Sequence, residues 1–352
     1  MWDAFTMDFP PSAASQSVYL ERRAARRPSR PLLSIVVPVY NEAEVLDIFL
    51  TETQAALAGL PAVSEFIFID DGSSDDTARI ICRHLSEGLP GKLIGLSRNF
   101  GKEAALTAGL DHAKGDILVI LDADLQDPPG LIPEMLELWK QGYDVIYGLR
   151  VDRSQDTLMK RSTASMFYRL FDRLTNIHMP ANAGDFRLID RSVAESLGRL
   201  PERSRFMKGL FAWVGHPTTF LPYERPPRRA GEGKWNYWKL WNFALDGLAS
   251  FTSVPLRVWL YCGGLIATVA FAYAMVLVAR VILYGIDVPG YASLMVSVLF
   301  FSGLQLLSIG IIGEYIGRLF IETKQRPVYL VQDIIESSAT PAGANPSGGE
   351  SA

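Results

Sequence analysis

Between residues 32 and 150, short apolar runs alternate with stretches whose apolar residues recur at helical spacing. The runs are "LLSIVVPV", "EFIFID", "KLIGLS", "DILVILD" and "YDVIYGLR". They are too short for helices and rich in branched aliphatics, so they read as buried strands. Between them, "EAEVLDIFLTETQAAL", "DDTARIICRHL", "KEAALTAGLDHA" and "LIPEMLELWKQG" bring apolar residues onto one face at the helical period. The boundaries carry their own chemistry. Asn41 and Glu44 stand as a capping box before the first helix. Ser73 or Ser74 opens the second, with Asp75 and Asp76 in its first turn, where the helix dipole favours them. Asp127 reads as the cap of the fourth, with Pro128 at its first helical position. Alternating strands and helices predict an α/β domain with a mostly parallel sheet covered on both faces. Ligands of such sheets bind at the carboxyl ends of the strands.

The pattern changes near the C-terminus. "VWLYCGGLIATVAFAYAMVLVA" (258–279) and "GYASLMVSVLFFSGLQLLSIGIIG" (290–313) carry no charge, and each is long enough to cross a bilayer. They read as two transmembrane helices joined by a tight turn. Arg257 precedes the first, and Arg318, Lys324 and Arg326 follow the second. By the positive-inside rule both termini and the N-terminal domain face the cytoplasm. Just before the spans, "GKWNYWKLWNFALDGLASF" (233–251) mixes aromatics with lysines, which suits a helix at the lipid interface.

The expected layout is a disordered basic arm (1–30), a catalytic domain (31–230), an interfacial amphipathic segment (231–256), a two-helix hairpin (257–317) and a cytoplasmic tail (318–352) that is disordered from about residue 336. The arm's "ERRAARRPSR" has no apolar core of a signal peptide, and its charges suit anionic lipid headgroups. Lys and Arg total 34 against 38 for Asp and Glu, which gives no case for nucleic acid as a partner. Cys82 and Cys262 lack the spacing of a disulfide framework or a zinc site, so the bulk of the chain reads as reduced. His84, His112, His178 and His216 show no ligand spacing.

Three polar clusters fall at the carboxyl ends of predicted strands: "PVYNE", "DDGSSDDT" and "DADLQ". If the backbone stays extended after the fourth strand, Asp122, Asp124 and Gln126 point the same way. Oxygen donors of this kind suit Mg²⁺ or Mn²⁺, which take their remaining ligands from water and a diphosphate. Asp70 and Asp71 are placed to accept hydrogen bonds from a ribose or a base. There is neither a G-x-G-x-x-G after the first strand nor a G-x-x-x-x-G-K-[ST], which argues against a dinucleotide fold and a P-loop.

"SIVVPVYNE", "IDDGSSDDT", "LSRNFGKEAALTAGLDHAKGD", "LDADLQDPP", "GLR" and "GDFRLIDR" occur in that order. On these motifs residues 32–330 resemble the family 2 glycosyltransferases of GT-A fold, and more narrowly the bacterial polyisoprenyl-phosphate glycosyltransferases, the group of GtrB-like enzymes and relatives of dolichol-phosphate mannose synthase. The resemblance implies a donor pocket of Pro38, Tyr40, Glu42, Asp70, Asp71, Lys102, Asp122, Ala123 and Asp124. It implies Asp122, Asp124 and Arg150 as catalytic residues, and Asp124 and Gln126 as ligands of Mg²⁺ or Mn²⁺. Arg150, Lys160, Arg161, Arg228 and Lys234 would face the acceptor. Gly233 replaces a hydroxyl residue that the family usually carries in this last stretch. Asp185 is either a base or a structural partner of Arg187, and the structural role is favoured.

The implied partners are a nucleotide-diphospho-sugar, with UDP-glucose favoured, a polyprenyl phosphate, the membrane, and further copies of the chain, with a tetramer among the options. A phosphate monoester has its second pKa at about 6, so the acceptor is a dianion that needs no general base. The reaction then rests on positioning and electrostatics, with inversion at the sugar carbon. Rival readings fare less well. A processive synthase would carry Q-x-x-R-W, which is absent. A flippase subunit would place charge inside its spans. A non-catalytic nucleotide-sugar scaffold is distinguished by a transfer assay.

Overall fold

The computed structural model describes residues 13–150, 175, 183–224, 252, 254–284 and 290–338. The chain divides into two compact units, one of residues 1–169, 177–235 and 327–352, the other of 170–176 and 236–326. The elements in chain order are α1 (Ala13–Ala24), β1 (Leu32–Val39), α2 (Leu46–Leu57), β2 (Val63–Asp70), α3 (Thr77–Ser86), β3 (Gly91–Leu96), α4 (Lys102–His112), β4 (Ile117–Ile120), a 3-10 turn (Pro129–Leu131), α5 (Ile132–Lys140), β5 (Val145–Arg150), β6 (Ala183–Asp190), α6 (Arg191–Gly198), α7 (Met207–Trp213), β7 (Thr218–Tyr223), α8 (Val254–Tyr284), α9 (Tyr291–Lys324) and β8 (Val331–Glu336).

One eight-stranded sheet runs β7-β5-β6-β4-β1-β2-β3-β8. Its centre, β4-β1-β2-β3, is parallel, as the alternating pattern requires. Val36 of β1 sits between Ile67 of β2 and Ile120 of β4. These strands are buried on both faces, which is why they read as unbroken apolar runs. Leu33, Ile35 and Val37 join Phe49, Phe66, Phe68, Met135 and Trp139 in one core. Two antiparallel insertions were not visible in the pattern. β6 enters between β4 and β5, and β8 covers the outer edge of β3. The first matters for chemistry, because the start of β6 lies beside the end of β4.

Several boundary expectations give way to tertiary contacts. Residues 13–24, expected in a disordered arm, form α1. Its docking is electrostatic. Arg23 and Arg27 both pair with Asp144, whose side chain is 1% exposed, and the Arg27 guanidinium also lies 4.5 Å from the Trp139 ring centre. Two of the arm's charges are therefore spent inside the protein. Residues 331–336, expected at the edge of a disordered tail, form β8, anchored as Tyr329 donates to Asp111 at 2.9 Å. The capping box at Asn41 and Glu44 does not form. α2 starts after Val45, and Asn41 takes φ +55 with its side-chain oxygen accepting from the Ser74 N–H. Asp127 does not cap a helix either. Pro128 is extended, the turn begins at Pro129, and the carboxylate is buried beside Tyr223.

The second unit holds two long helices, α8 of 31 residues and α9 of 34. At ~1.5 Å rise per residue both exceed the ~30 Å hydrocarbon core of a bilayer. Among the described residues one stretch, Phe300–Lys324, which overlaps the second of the two expected spans, is by itself long and apolar enough to cross a membrane. Tyr261–Tyr273 of α8 is a shorter apolar stretch. Large apolar side chains such as Ile282 and Leu306 are exposed on these helices. The interfacial segment 233–251 lies outside the described residues.

Candidate active site

The parallel centre of the sheet brings the carboxyl ends of β1, β2 and β4 to one edge. At the end of β2, Asp70 accepts from the Ser73 N–H at 2.9 Å. Asp71 is 4% exposed and accepts from the Phe100 and Gly101 N–H groups at 2.7 and 2.9 Å. Burial pushes its carboxyl up, and the two amides only partly offset this. Asp71 therefore pins the loop ahead of α4 rather than presenting a free carboxylate. The two loops touch closely. Gly72 takes φ +75, and a Cβ there would meet the backbone of Arg98 and Asn99 at 2.9 Å. At the end of β1, Pro38 lies in the strand, Tyr40 is 39% exposed, and the Glu42 N–H donates to Thr77.

At the end of β4 the expected extended ladder is not met. β4 stops at Ile120, and Leu125 takes φ +57, so the chain turns before Pro129. Asp124 accepts from the Gln126 N–H at 3.1 Å, Ala123 is buried, and Asp122 faces elsewhere. Its partner is Lys102, whose ammonium lies 2.7 Å from Asp122 and 2.5 Å from Asp185. Asp185 reaches this point because β6 runs antiparallel to β4, with Arg187 opposite Ile120. Lys208 of α7 is 3.5 Å from Asp185, and Arg187 is 3.8 Å away. Burial disfavours the charged form of Asp185, yet Lys102, Lys208 and Arg187 together hold its carboxyl well below the usual range. Burial also works against the Lys102 ammonium, but Asp122 and Asp185 outweigh it and hold it above the ordinary lysine value. For Asp122 burial wins and its carboxyl is pushed up.

Lys102 opens α4, where the helix dipole opposes a cation. Its two carboxylate partners offset that cost. Arg187 is expected as the partner of Asp185, but its geometry is mainly internal. It is 2% exposed, donates to the carbonyls of Gly184 and Asp185, and lies between the rings of Tyr147 and Phe211. Arg150 ends β5. Its Nε donates to Tyr223 Oη at 3.2 Å, and its Nη2 lies 3.5 Å from Asp127. Burial disfavours its charge, and Asp127 and Tyr223 more than restore it.

Among the described residues no three His, Cys, Asp or Glu side chains form a metal cage. Asp124 and Gln126, two oxygen-bearing side chains, lie two residues apart in a turn closed by the Gln126 N–H on the Asp124 carboxylate. That hard oxygen pair fits a cation of the Mg²⁺ or Mn²⁺ type, which needs few protein ligands when a diphosphate and water supply the rest. Lys160, Arg161, Arg228 and Lys234 lie outside the described residues. Sequence reasoning missed Glu103, Lys208 and Tyr223. Glu103 follows Lys102 in "GKEAAL", and its carboxylate accepts from the Met207 N–H at 3.2 Å, tying α4 to α7. Burial and Asp185 push it up to about 7.

An acidic edge at the strand ends of an α/β domain, with a lysine locked between two carboxylates, is the candidate active site. The chain belongs to glycosyltransferase family 2. Residues 34–198 match the family described as Glycosyl transferase family 2, and residues 254–319 match the GtrB C-terminal hairpin. An uncharacterized glycosyltransferase of Synechocystis sp. is 51% identical over 302 residues, covering 86% of this chain and 95% of that one. A prophage bactoprenol glucosyl transferase homolog of Escherichia coli is 46% identical over 303 residues, covering 86% of this chain and 99% of that one. Bactoprenol glucosyl transferase of Shigella phage SfV is 46% identical over 302 residues, covering 86% and 98%. Among solved structures, mannosyltransferase PcManGT from Pyrobaculum calidifontis, in complex with GDP-Man and Mn²⁺, aligns with a TM-score of 0.43 at 18% identity, over 88% of this chain and 93% of that one. The protein is thus a family 2 glycosyltransferase whose catalytic domain has the GT-A α/β fold, followed by a helical hairpin of the GtrB type.

Proposed function

We propose that the protein transfers a sugar, glucose from UDP-glucose, to the phosphate of a membrane polyprenyl phosphate at the cytoplasmic leaflet. The observation that carries this reading is the Lys102 bridge between Asp122 and Asp185, set beside Lys208 and Arg150. Donor and acceptor are both anionic, so a site that joins them needs cations held at defined points. Two features support the acceptor and the sugar. Relatives named bactoprenol glucosyl transferases match over nearly their whole length, and a GtrB-type hairpin follows the domain.

The acceptor phosphate is a dianion above about pH 6 and is already the nucleophile. A base is not required, and a carboxyl held as low as that of Asp185 is a poor one. Asp185 instead orients Lys102 and Lys208. Lys102 faces the donor diphosphate and Arg150 the acceptor phosphate, joined by Lys160, Arg161, Arg228 and Lys234. Pro38, Tyr40, Glu42, Asp70 and Asp71 frame the nucleoside. Asp124 and Gln126 would hold Mg²⁺ or Mn²⁺, which when bound neutralises charge on the leaving diphosphate. A single in-line displacement inverts the sugar carbon and gives a β-linked product from an α-linked donor.

α8 and α9 form a membrane hairpin that keeps the site at the surface its lipid substrate cannot leave. By the positive-inside rule, Arg257, Arg318, Lys324 and Arg326 support a topology with both termini in the cytoplasm. The homo-oligomer expected of this group, a tetramer among the options, belongs to the same proposal. The test is a transfer assay with purified protein, polyprenyl phosphate, Mn²⁺ or Mg²⁺, and a panel of labelled UDP- and GDP-sugars. A metal-dependent, organic-extractable product from UDP-glucose alone is the expected result. Nucleotide binding without any lipid product would favour the non-catalytic scaffold or flippase subunit instead.

A further inference from the structure

We infer that Tyr223 is a positioning residue for Arg150: its phenol keeps the guanidinium from closing onto Asp127 and so leaves it directed at the acceptor phosphate. The inference rests on the proposed acceptor role of Arg150. Asp127 is 1% exposed. Tyr223 Oη donates to its Oδ1, and Arg150 Nη2 lies 3.5 Å from that same oxygen. Arg150 Nε in turn donates to Tyr223 Oη at 3.2 Å. The second oxygen, Oδ2, is buried without a hydrogen-bond partner.

This arrangement is unusual. A guanidinium beside a buried carboxylate ordinarily closes into a two-pronged pair at about 2.7–2.9 Å. Here it stays out of that range while a carboxylate oxygen goes bare. Two features hold it off. The phenol occupies Oδ1, and it is fixed there by the β5–β7 register, which sets Arg150 opposite Tyr223, and by the edge of Phe186 at 6.2 Å. The guanidinium also lies on the backbone of β6, where a Cβ at Gly184 would come within 2.8 Å of Nη2. Burial and Asp127 hold the Tyr223 hydroxyl well above the usual tyrosine range, so it remains a proton donor. The charge of Arg150 is left partly unspent, and a quarter of its side chain is exposed.

The test uses the purified full chain in detergent with UDP-glucose and polyprenyl phosphate. Tyr223→Phe removes the wedge, and Arg150 closes onto Asp127. The acceptor KM is expected to rise about tenfold or more, the worth of one charge-assisted hydrogen bond, with the donor KM unchanged. Adding Asp127→Asn removes the carboxylate that captures Arg150 and returns the acceptor KM to within about threefold of the parent. A merely structural tyrosine predicts the opposite: a lower Tm, no split between the two KM values, and additive damage in the double variant.

Arg150→Ala separates the two claims. If it leaves the acceptor KM unchanged, the acceptor role of Arg150 fails. If it raises that KM while Tyr223→Phe does not, or while the double variant is worse than the single, only the positioning inference fails. Should Tyr223→Phe not fold, Asp127→Asn alone carries the test. With the competing charge gone the acceptor KM is expected to fall by about threefold or more, and an unchanged or higher value overturns the inference.

Discussion

Glu103 gives the structure its clearest dependence on pH. The carboxyl sits in the first turn of α4, partly buried, and accepts from the Met207 N–H at 3.2 Å. Burial, then Asp185, raises its pKa from 4.5 to about 7, while the Met207 amide, Lys102 and Lys208 pull the other way. A carboxyl raised on folding binds its proton more tightly in the native state. Its contribution to stability is therefore complete below pH 4.5 and is lost as pH rises through about 7. The interval corresponds to about 3 kcal/mol as an upper bound. Glu103→Gln keeps an oxygen for the Met207 N–H and removes the titration. Thermal unfolding of parent and variant, followed by tryptophan fluorescence in one detergent across pH 4.5 to about 8, reads the difference directly. The parent Tm is expected to fall relative to the variant by about 5–10 °C over that range. Parallel curves for the two proteins would refute the argument, because they would mean that Glu103 titrates alike folded and unfolded.

Asp124→Asn is expected to abolish transfer while leaving the thermal transition within about 2 °C of the parent, since the residue sits in a turn rather than in the core; near-normal turnover in the radiolabel assay would remove it from the metal site. Arg27→Ala strips one cation from buried Asp144 and the cover from Trp139, so chemical denaturation should register a loss of about 3 kcal/mol, and an unchanged midpoint would mean that α1 contributes nothing to the fold. Lys160→Ala combined with Arg161→Ala should raise the acceptor KM more than the donor KM, and equal effects on both would count against an acceptor role.

The parallel centre of the sheet was legible because its strands are buried on both faces and α2, α3 and α5 carry one apolar stripe each. Those are properties of single segments. What was illegible depends on partners far away in sequence. β6 holds Asp185 and reads like any other strand. Only its antiparallel insertion beside β4 makes that carboxylate a neighbour of Asp122 and Lys102. Asp127 followed by prolines has the look of a helix cap, yet its carboxylate is claimed by Tyr223, 96 residues away. The extended ladder at Asp122, Asp124 and Gln126 failed for a related reason. The chain turns between the end of β4 and Pro129: Leu125 takes a left-handed conformation, and the Asp122 carboxylate accepts from Lys102. Arg23 and Arg27 read as free basic charge because Asp144 lies 117 residues beyond Arg27.

The pairing of charges bears on why an acidic edge serves a reaction between two anions. Carboxylates alone at the strand ends would repel a diphosphate and a phosphate alike. In this structure they act mainly on cations: Asp122 and Asp185 clamp Lys102, Asp185 also holds Lys208, and Asp127 stands beside Arg150. Each cation is thereby fixed in direction before any substrate arrives. Fixed charges need little reorganisation when charge moves from acceptor to leaving group, which is where preorganised electrostatics contributes most. Asp124 sits in the turn after β4, where it accepts from the backbone N–H of Gln126. On the proposed reaction Asp124 holds the metal, while Asp122, Asp185 and Asp127 orient Lys102, Lys208 and Arg150. The assignment predicts a split. Asp185→Asn should slow transfer at every metal concentration, whereas excess Mn²⁺ should partly rescue a weakened Asp124 ligand such as Asp124→Glu. Rescue of both variants by metal would erase the distinction.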